Sequence, residues 1–360
     1  MNQVKRLVAR NAVPLLFAVV CLLGVYFAKM PGQFLLMEIV NRVARNSFLV
    51  LSLIIPVAAG MGLNFGIVLG ALAGQIALIL ATHWEWAGTG GFLLTALMAT
   101  PLAVLFGFLA GTLLNKAKGR EMITGMVMGF FANGLYQFVF LFLVGTLIPF
   151  DNPRLRISTG PGLRNTIDLF RLKGALDGLW QIQAGLFVRI PVVTFLVIAA
   201  LAVAIWAFFR TKLGQEFRAI GQDRHIAGVA GINVDRNRIL AIIFSTVLAA
   251  WGQLIFLQNI GTLNTYNSHE QVGTFAIAAL LIGGASVTKA TIAQALTGTL
   301  LFHLLFAVSP RAGQTIFGSA QVGEYFRVFV AYGIIAISLA LHAWQTRSAA
   351  KARLEEDASA

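Results

Sequence analysis

Carboxylates are scarce in this chain. Asp and Glu together number 14 in 360 residues, against 27 Lys and Arg, and charged residues of either sign make up only 11% of the sequence. A soluble fold of this length needs more charge to cover its surface, so with 58% hydrophobic residues the chain must meet lipid over much of its area. Cysteine is nearly absent: Cys21, inside the first apolar run, can form neither an intrachain disulfide nor a multi-cysteine metal site. No glycine-rich run ends in Gly-Lys-Ser or Gly-Lys-Thr, which excludes a P-loop grip on nucleotide phosphates. The five histidines, at 83, 225, 269, 303 and 342, show neither His-Glu-x-x-His nor another paired-ligand spacing, and no Gly-x-Ser-x-Gly elbow is present. No catalytic residue, metal ligand or resident cofactor is expected. The formal charge of +13 would point to nucleic acid in a soluble chain. Here Lys and Arg sit between apolar runs, where they set topology and meet anionic headgroups, so the partner read from charge is membrane lipid and no nucleic acid.

What the chain does hold is a series of apolar runs close to the length of a bilayer crossing. Segments near 12–28, 47–59, 60–82, 92–114, 122–149, 189–210, 238–258, 270–286, 289–308 and 325–344 predict an all-α polytopic membrane protein of about ten transmembrane helices. Lys5, Arg6 and Arg10 precede the first run with no convincing small-residue cleavage site after it, which reads as a retained first helix. With the N-terminus cytoplasmic, alternation puts Lys116, Lys118, Arg120, the 212–238 loop, Lys289 and the 345–360 tail inside, as the positive-inside rule favours. The 150–188 segment then lies outside, and its run NTIDLFRLKGALDGLW suits the membrane interface. Residues 1–360 read as a single transmembrane domain with both termini in the cytoplasm.

Two places break the pattern, a run around residues 56–66 and GTFAIAALLIGGASVTKA, where Gly283 and Gly284 follow a short apolar run that Lys289 closes; the first of these and the 212–238 loop are the two stretches that matter most. The run IIPVAAGMGLNFGIVLGALAG places Pro56, Gly60, Gly62, Asn64 and Gly66 in one apolar stretch, too long for one helix and with almost no loop for two. A broken or re-entrant element is expected near 56–66, and such backbone is tolerated where it lines a cavity, in transporters commonly the solute path. Gly70 and Gly74, four residues apart, suit close helix packing instead. Polar residues inside the runs are amides, among them Asn64, Gln75, Asn133, Gln137, Gln253 and Gln294. An ion-coupled secondary transporter, the alternative reading, usually keeps carboxylates within its spans. Amides both donate and accept, which suits a polar uncharged or zwitterionic solute. The second stretch, KLGQEFRAIGQDRHIAGVAGINVDRNR, runs from Lys212 to Arg238. Leu213, Phe217 and Ile220 fall on one apolar helical face, Asp223 suits the N-cap of a second short helix, and Gly231 its left-handed end. Such a segment between spans is shaped to present two short helices to a partner at the membrane surface.

The stretch GQEFRAIGQDRHIAGVAGINVDRNRILAIIFSTVLAAWGQ, Gly214 to Gln253, resembles the cytoplasmic loop and following helix of permease subunits from ABC importers for monosaccharides, nucleosides and branched-chain amino acids. The pattern there is approximately G-x-x-x-R-A-x-G-x-[ND]-x-x-A-A-x-x-x-G-I; Gly214, Arg218, Ala219, Gly221, Asp223, Ala227, Gly231 and Ile232 fit it. FAIAALLIGGASV, Phe275 to Val287, and GLNFGIVLGA, Gly62 to Ala71, are similar to further pieces, the second closer to the nucleoside and amino-acid branches than to the sugar branch. Val287, Thr288 and Lys289 depart from the expected glycines, and the acid of the sugar branch is missing near Asn64. The resemblance covers much of 60–80 and 212–345. It implies a type II importer fold in the bacterial cytoplasmic (inner) membrane, with two permease copies or a pair of paralogues around a central path. ABC ATP-binding subunits, which hold the ATP, dock inside, and an extracytoplasmic substrate-binding protein delivers from outside. On this resemblance Leu213, Phe217, Arg218, Ala219, Gly221, Asp223, Ala227 and Gly231 are expected to couple to the ATPase. Met61, Asn64, Phe65, Gly66, Asn133 and Gln137 are expected along the substrate path. The solute is expected to be a nucleoside or related compound, ahead of a sugar or a branched-chain amino acid, and the chain a transport subunit with no ATPase site of its own.

Overall fold

The computed structural model describes residues 11–150, 152–157, 160–185 and 188–359; Lys5, Arg6 and Arg10 lie outside them, as do the side chains of the 345–360 tail. The elements run α1 (Ala12–Ala28), α2 (Gly32–Ser52), α3 (Ile54–Ala58), α4 (Ile67–His83), α5 (Gly88–Lys116) and α6 (Glu121–Phe138), which continues as a π-helical turn over Val139–Leu143. Three short strands follow, β1 (Thr166–Asp168), β2 (Gln181–Ala184) and β3 (Val188–Pro191), and then α7 (Val192–Phe208), α8 (Lys212–Gln222), α9 (Arg224–Val229) and α10 (Val234–Ile260). The chain ends in β4 (Thr262–Asn264), α11 (Glu270–Ile282), α12 (Ile292–Phe317) and α13 (Ala320–Ser359).

Among the described residues, six helices are long and apolar enough to cross a membrane: Gly32–Ala58, Gly88–Lys116, Glu121–Leu143, Val234–Ile260, Ile292–Phe317 and Ala320–Ile337. Large apolar side chains stand exposed along them, Leu93, Leu97 and Phe108 on α5 and Phe130, Phe131 and Leu135 on α6, as lipid contact requires. The protein is a helical polytopic membrane protein. Each of the ten expected segments overlaps a helix, but Ala12–Ala28, Ile67–His83 and Glu270–Ile282 are shorter, and α7 qualifies only together with α8 as a pair bent by 76°. Six crossings, or seven with that pair, stand on length and composition.

The second segment begins at Gly32 rather than near residue 47. Glu38, Asn41, Arg42 and Arg45 depress its hydropathy, yet Arg42 Nε meets Glu38 Oε1 at 2.6 Å one turn away, which leaves a helix that polar residues do not interrupt. In the 150–188 segment the run NTIDLFRLKGALDGLW contributes β1 and turns. The segment folds as strands and turns, β1 pairing antiparallel with β4 so that Ile167 faces Leu263, and β2 with β3 so that Gln181 faces Pro191. Leu155, Leu163, Leu169 and Leu172 are buried beneath it, while Phe170, Leu179 and Trp180 stay exposed.

Contacts divide the chain into two compact units, Met30–Ile277 and Met1–Lys29 with Ala278–Ala360, the division falling inside α11. In the larger unit α10 is the axis, with α2, α4 and α5 around it. Gly74 of α4 lies so close to α10 that an added Cβ would stand 2.6 Å from the Ala250 carbonyl oxygen, and Gly70 meets the Thr246 carbonyl in the same way. The pair at 70 and 74 is thus a helix-packing device, as its spacing suggested. In the smaller unit α12 packs against α1 and α13. Gly24 there leaves room for Val308, and Cys21 Sγ donates to the Leu301 carbonyl at 3.3 Å.

Candidate functional site

The 212–238 segment forms the two helices its sequence suggested. Thr211 Oγ1 accepts from Gly214 N at 3.3 Å to start α8. Asp223 Oδ1 accepts from His225 N at 2.8 Å and Ile226 N at 3.0 Å to start α9. Gly231 turns the chain after α9 at φ +82°, and Asn233 Oδ1 caps α10 through Arg236 N at 3.0 Å. The apolar face of α8, however, points inward. Phe217 is 0% and Ile220 3% exposed, Leu213 is half-buried, and Phe217 joins a cluster with Ile55, Ala59, Met61, Leu114 and Ile242. The face expected to anchor a partner is occupied by the chain's own core. Ala227 is buried beneath α9, Ala219, Gly221 and Asp223 are partly covered, and Gly231 is open to solvent. Arg218 is exposed, its guanidinium 4.8 Å over the Phe209 ring. The apolar side chains presented outward are Ile226, 66% exposed, and Val229, 79% exposed. They stand at i and i+3 on α9 with Ala227 turned inward, a spacing that was readable in the sequence but overshadowed by the stronger periodicity of α8.

This segment touches the break between α3 and α4. Helical structure stops at Ala58 and resumes at Ile67, and Gly60 and Gly62 both take φ +70° in the turn between. A Cβ on Gly60 would stand 3.0 Å from Gly221 Cα, and one on Gly221 would fall on the Ala58 carbonyl oxygen. Two backbones meet there with no side chain between them. Beside this contact Arg238, 1% exposed, donates from Nε to Met61 Sδ at 2.8 Å and pairs through Nη2 with Glu121. Asn237 Nδ2 donates to Glu216 Oε2 at 2.7 Å, and Lys118 Nζ meets Asp235 Oδ1 at 2.8 Å. The start of α10 is therefore tied to α8, to the break and to the α5–α6 turn.

The expected path residues fall into two groups along α6. Met61, Asn64, Phe65 and Gly66 all lie in the buried break. Asn64 Nδ2 donates to Ser245 Oγ at 3.2 Å, while its Oδ1 is buried with no partner. Gly125 of α6 approaches so closely that its Cβ would stand 3.2 Å from Gly66 N. From there Gly129, Asn133 and Gln137 follow at four-residue steps, one stripe of the helix. Asn133 and Gln137 meet the second group: Gln137 Nε2 donates to Asn133 Oδ1 at 3.3 Å, His269 Nε2 stands 2.8 Å from the same oxygen, and Asn133 Nδ2 donates to Glu270. Next to them Gln75 Nε2 donates to Tyr136 Oη at 2.8 Å and to the Thr265 carbonyl at 2.6 Å. Burial pushes the His269 imidazole down to about 4, so at neutral pH it is uncharged, and Nε2 facing an amide oxygen makes Nε2 the protonated nitrogen. The cluster offers amides, a hydroxyl, a neutral imidazole and one carboxylate without a nucleophile set against a base. Its groups can both donate and accept hydrogen bonds. Sequence reasoning did not single out His269 and Tyr136, which lie 136 and 129 residues from their partners Asn133 and Thr265.

Comparison with known proteins bears on most of the chain. The family model for branched-chain amino acid transport system / permease component matches residues 35–339. Among curated relatives, the autoinducer 2 import system permease protein LsrC of Klebsiella pneumoniae is 29% identical over 161 residues, 44% of this chain and 44% of that protein. The fructose import permease protein FruG of Bifidobacterium longum is 25% identical over 67% of this chain and 64% of its own length. The nucleoside ABC transporter permease protein NupC of Lactococcus lactis is 25% identical over 67% of this chain and 72% of its own length. The chain thus spans less than two thirds of the first two relatives it matches. No solved structure matches it.

Proposed function

The chain belongs to the branched-chain amino acid transport system / permease component family, and from that premise we propose that it is the membrane-spanning permease subunit of an ATP-driven ABC importer of the bacterial inner membrane. Its partners in this reading are ABC ATP-binding subunits inside, a second permease copy or paralogue, and an extracytoplasmic substrate-binding protein. The observation that carries the reading is the direct backbone contact of Gly221 with Gly60, which joins an exposed two-helix segment to the break in the α3–α4 run. Ile226 and Val229 are the apolar knobs that enter a groove on the ATPase, with Arg218 and Asp223 beside them. Ala219, Gly221, Ala227 and Gly231 shape the turn that presents them, and Leu213 and Phe217 bind it to the permease's own core. Movement of α8 and α9 on ATPase closure reaches Met61, Asn64, Phe65 and Gly66 through that contact and through Arg238, and so alters access along the path past Asn133 and Gln137. The solute is a small polar molecule, a nucleoside or related compound in preference to a sugar or branched-chain amino acid. The unpartnered Asn64 Oδ1 and the amide cluster support hydrogen-bonded recognition of a neutral solute.

The experiment is co-purification and substrate-stimulated ATP hydrolysis with the candidate ATPase, comparing wild type with the Ile226→Asp, Val229→Asp double variant. Loss of two interface anchors weakens association by about 30-fold or more, with the chain still folded in membrane because both side chains are exposed. A wild-type chain that binds no ATPase and moves solute down an ion gradient would overturn the reading.

A further inference from the structure

Where α2 runs past the end of α10, a cavity of about 690 Å³ opens between them and the 150–191 region. Its wall includes Glu38 and Arg45 of α2, Lys173 and Asp177 from the segment after β1, Arg189 of β3, and Asn259 near the end of α10. It shares no residue with the candidate path. Three cations and two carboxylates face one volume, and the carboxylates are already answered. Glu38 accepts from Arg42 Nε at 2.6 Å. Asp177, 7% exposed, accepts from the Thr194 hydroxyl and from Asn259 Nδ2 at 2.7 Å.

The cations are not answered in this way. Neither Arg45, Lys173 nor Arg189 forms an ion pair among the described residues. Arg45 Nε is buried with no hydrogen-bond partner, and its guanidinium rests 5.7 Å from the Phe256 ring centroid. The Lys173 stem is held against Gly261, where an added Cβ would stand 2.7 Å from Lys173 Cγ, so its position is set by packing rather than by a counter-charge. A buried guanidinium donor without an acceptor is costly, and like charges gathered around one space repel. The repulsion is relieved by one ligand that brings negative charge and several acceptor oxygens to the volume the three cations share. A phosphate group has that chemistry, and the cavity is large enough for it together with a small organic substituent.

We propose that this cavity is a binding site for a phosphate-bearing anion, with the partly buried Arg45 in its wall and Lys173 and Arg189 as exposed cations facing the same volume. The group comes either from free phosphate or a soluble phosphoester, or from the headgroup of an anionic phospholipid. The two sources are separable. Inorganic phosphate is titrated by calorimetry into the full chain in neutral detergent with chloride as the background anion, and phosphatidylglycerol is titrated by native mass spectrometry in phosphatidylcholine nanodiscs. The variant is Lys173→Gln, Arg189→Gln; the control is Arg154→Gln, Arg164→Gln, the same charge removed elsewhere in the 150–188 segment. The expected result is one saturable site for at least one of the two probes, weakened about tenfold or more in the variant and unchanged in the control. Binding of inorganic phosphate assigns the soluble source, and binding of phosphatidylglycerol alone assigns the lipid. If neither probe binds above its chloride or phosphatidylcholine background, or if variant and control lose binding equally, the proposal is overturned.

Discussion

His269, fully buried at the foot of α11, shares the Asn133 side chain with Glu270, and the Tyr136 ring lies 5.1 Å away. Burial is what lowers its proton affinity, to about 4 against an ordinary 6.5. Between those values the unfolded chain takes up a proton that the folded chain refuses, so stability falls as pH drops through that window and is unaffected above it. At pH 5 the difference amounts to about 2 kcal/mol. We expect the detergent-solubilised protein to lose thermal stability between pH 7.5 and pH 5, and His269→Gln to show a smaller loss over the same interval. An equal loss in both would place the titrating group elsewhere. The same position explains why this residue escaped sequence reading. Nothing within a few residues of His269 marks it, because its partners arrive from α6, and a lone histidine beside an apolar run has no periodic signature.

At the scale of elements, the Gly60–Gly221 contact is the joint to test. A branched side chain at 221 drives into the Ala58 carbonyl, and the backbones must separate. Gly221→Val is expected to lower transport coupled to ATP hydrolysis by about tenfold beyond any loss of ATPase binding caused by the shifted turn, the two being read separately by transport and by co-purification. Retained transport would show that the motion travels by another route. How legible these elements were follows from how local their signals are. The start of α9 was readable because Asp223 caps within three residues, and its end because Gly231 needs the left-handed region. The break at 59–66 was readable because glycines and Asn64 cluster in an apolar run, and the α4–α10 crossing because Gly70 and Gly74 keep a four-residue interval. The direction in which the α8 face turns was not readable, because an apolar stripe fits a protein's own core and a partner's groove equally well. Nor was the first half of α2, whose Glu38 and Arg42 look like a loop until they are seen to neutralise each other one turn apart. Strand β1 escaped for the reason His269 did: it pairs with β4, almost a hundred positions later.

For the whole molecule, the orientation expected from charge bias has a direct test, because Cys21 is the only cysteine and is buried. In a Cys21→Ser background, Val229→Cys on α9 and Leu179→Cys in the 150–188 segment sit at exposed positions near opposite ends of α10. We expect a membrane-impermeant maleimide to label position 229 only in inside-out vesicles and position 179 only in right-side-out vesicles; the reverse pattern would invert the topology. The two sites are joined by α10 itself, 27 residues without a proline and so about 40 Å of unbroken helix. Its first turn is knotted to Glu216, Glu121 and Met61, and its last carries Asn259 into the wall of the cavity. A rod of that length has leverage: a tilt of about 5° sweeps one end through roughly 3.5 Å relative to the other. Stiffness added at the C-terminal end of α10 is thus a load felt at its N-terminal end. An anion bound as proposed would load the axis at Asn259 without lying among the proposed path residues.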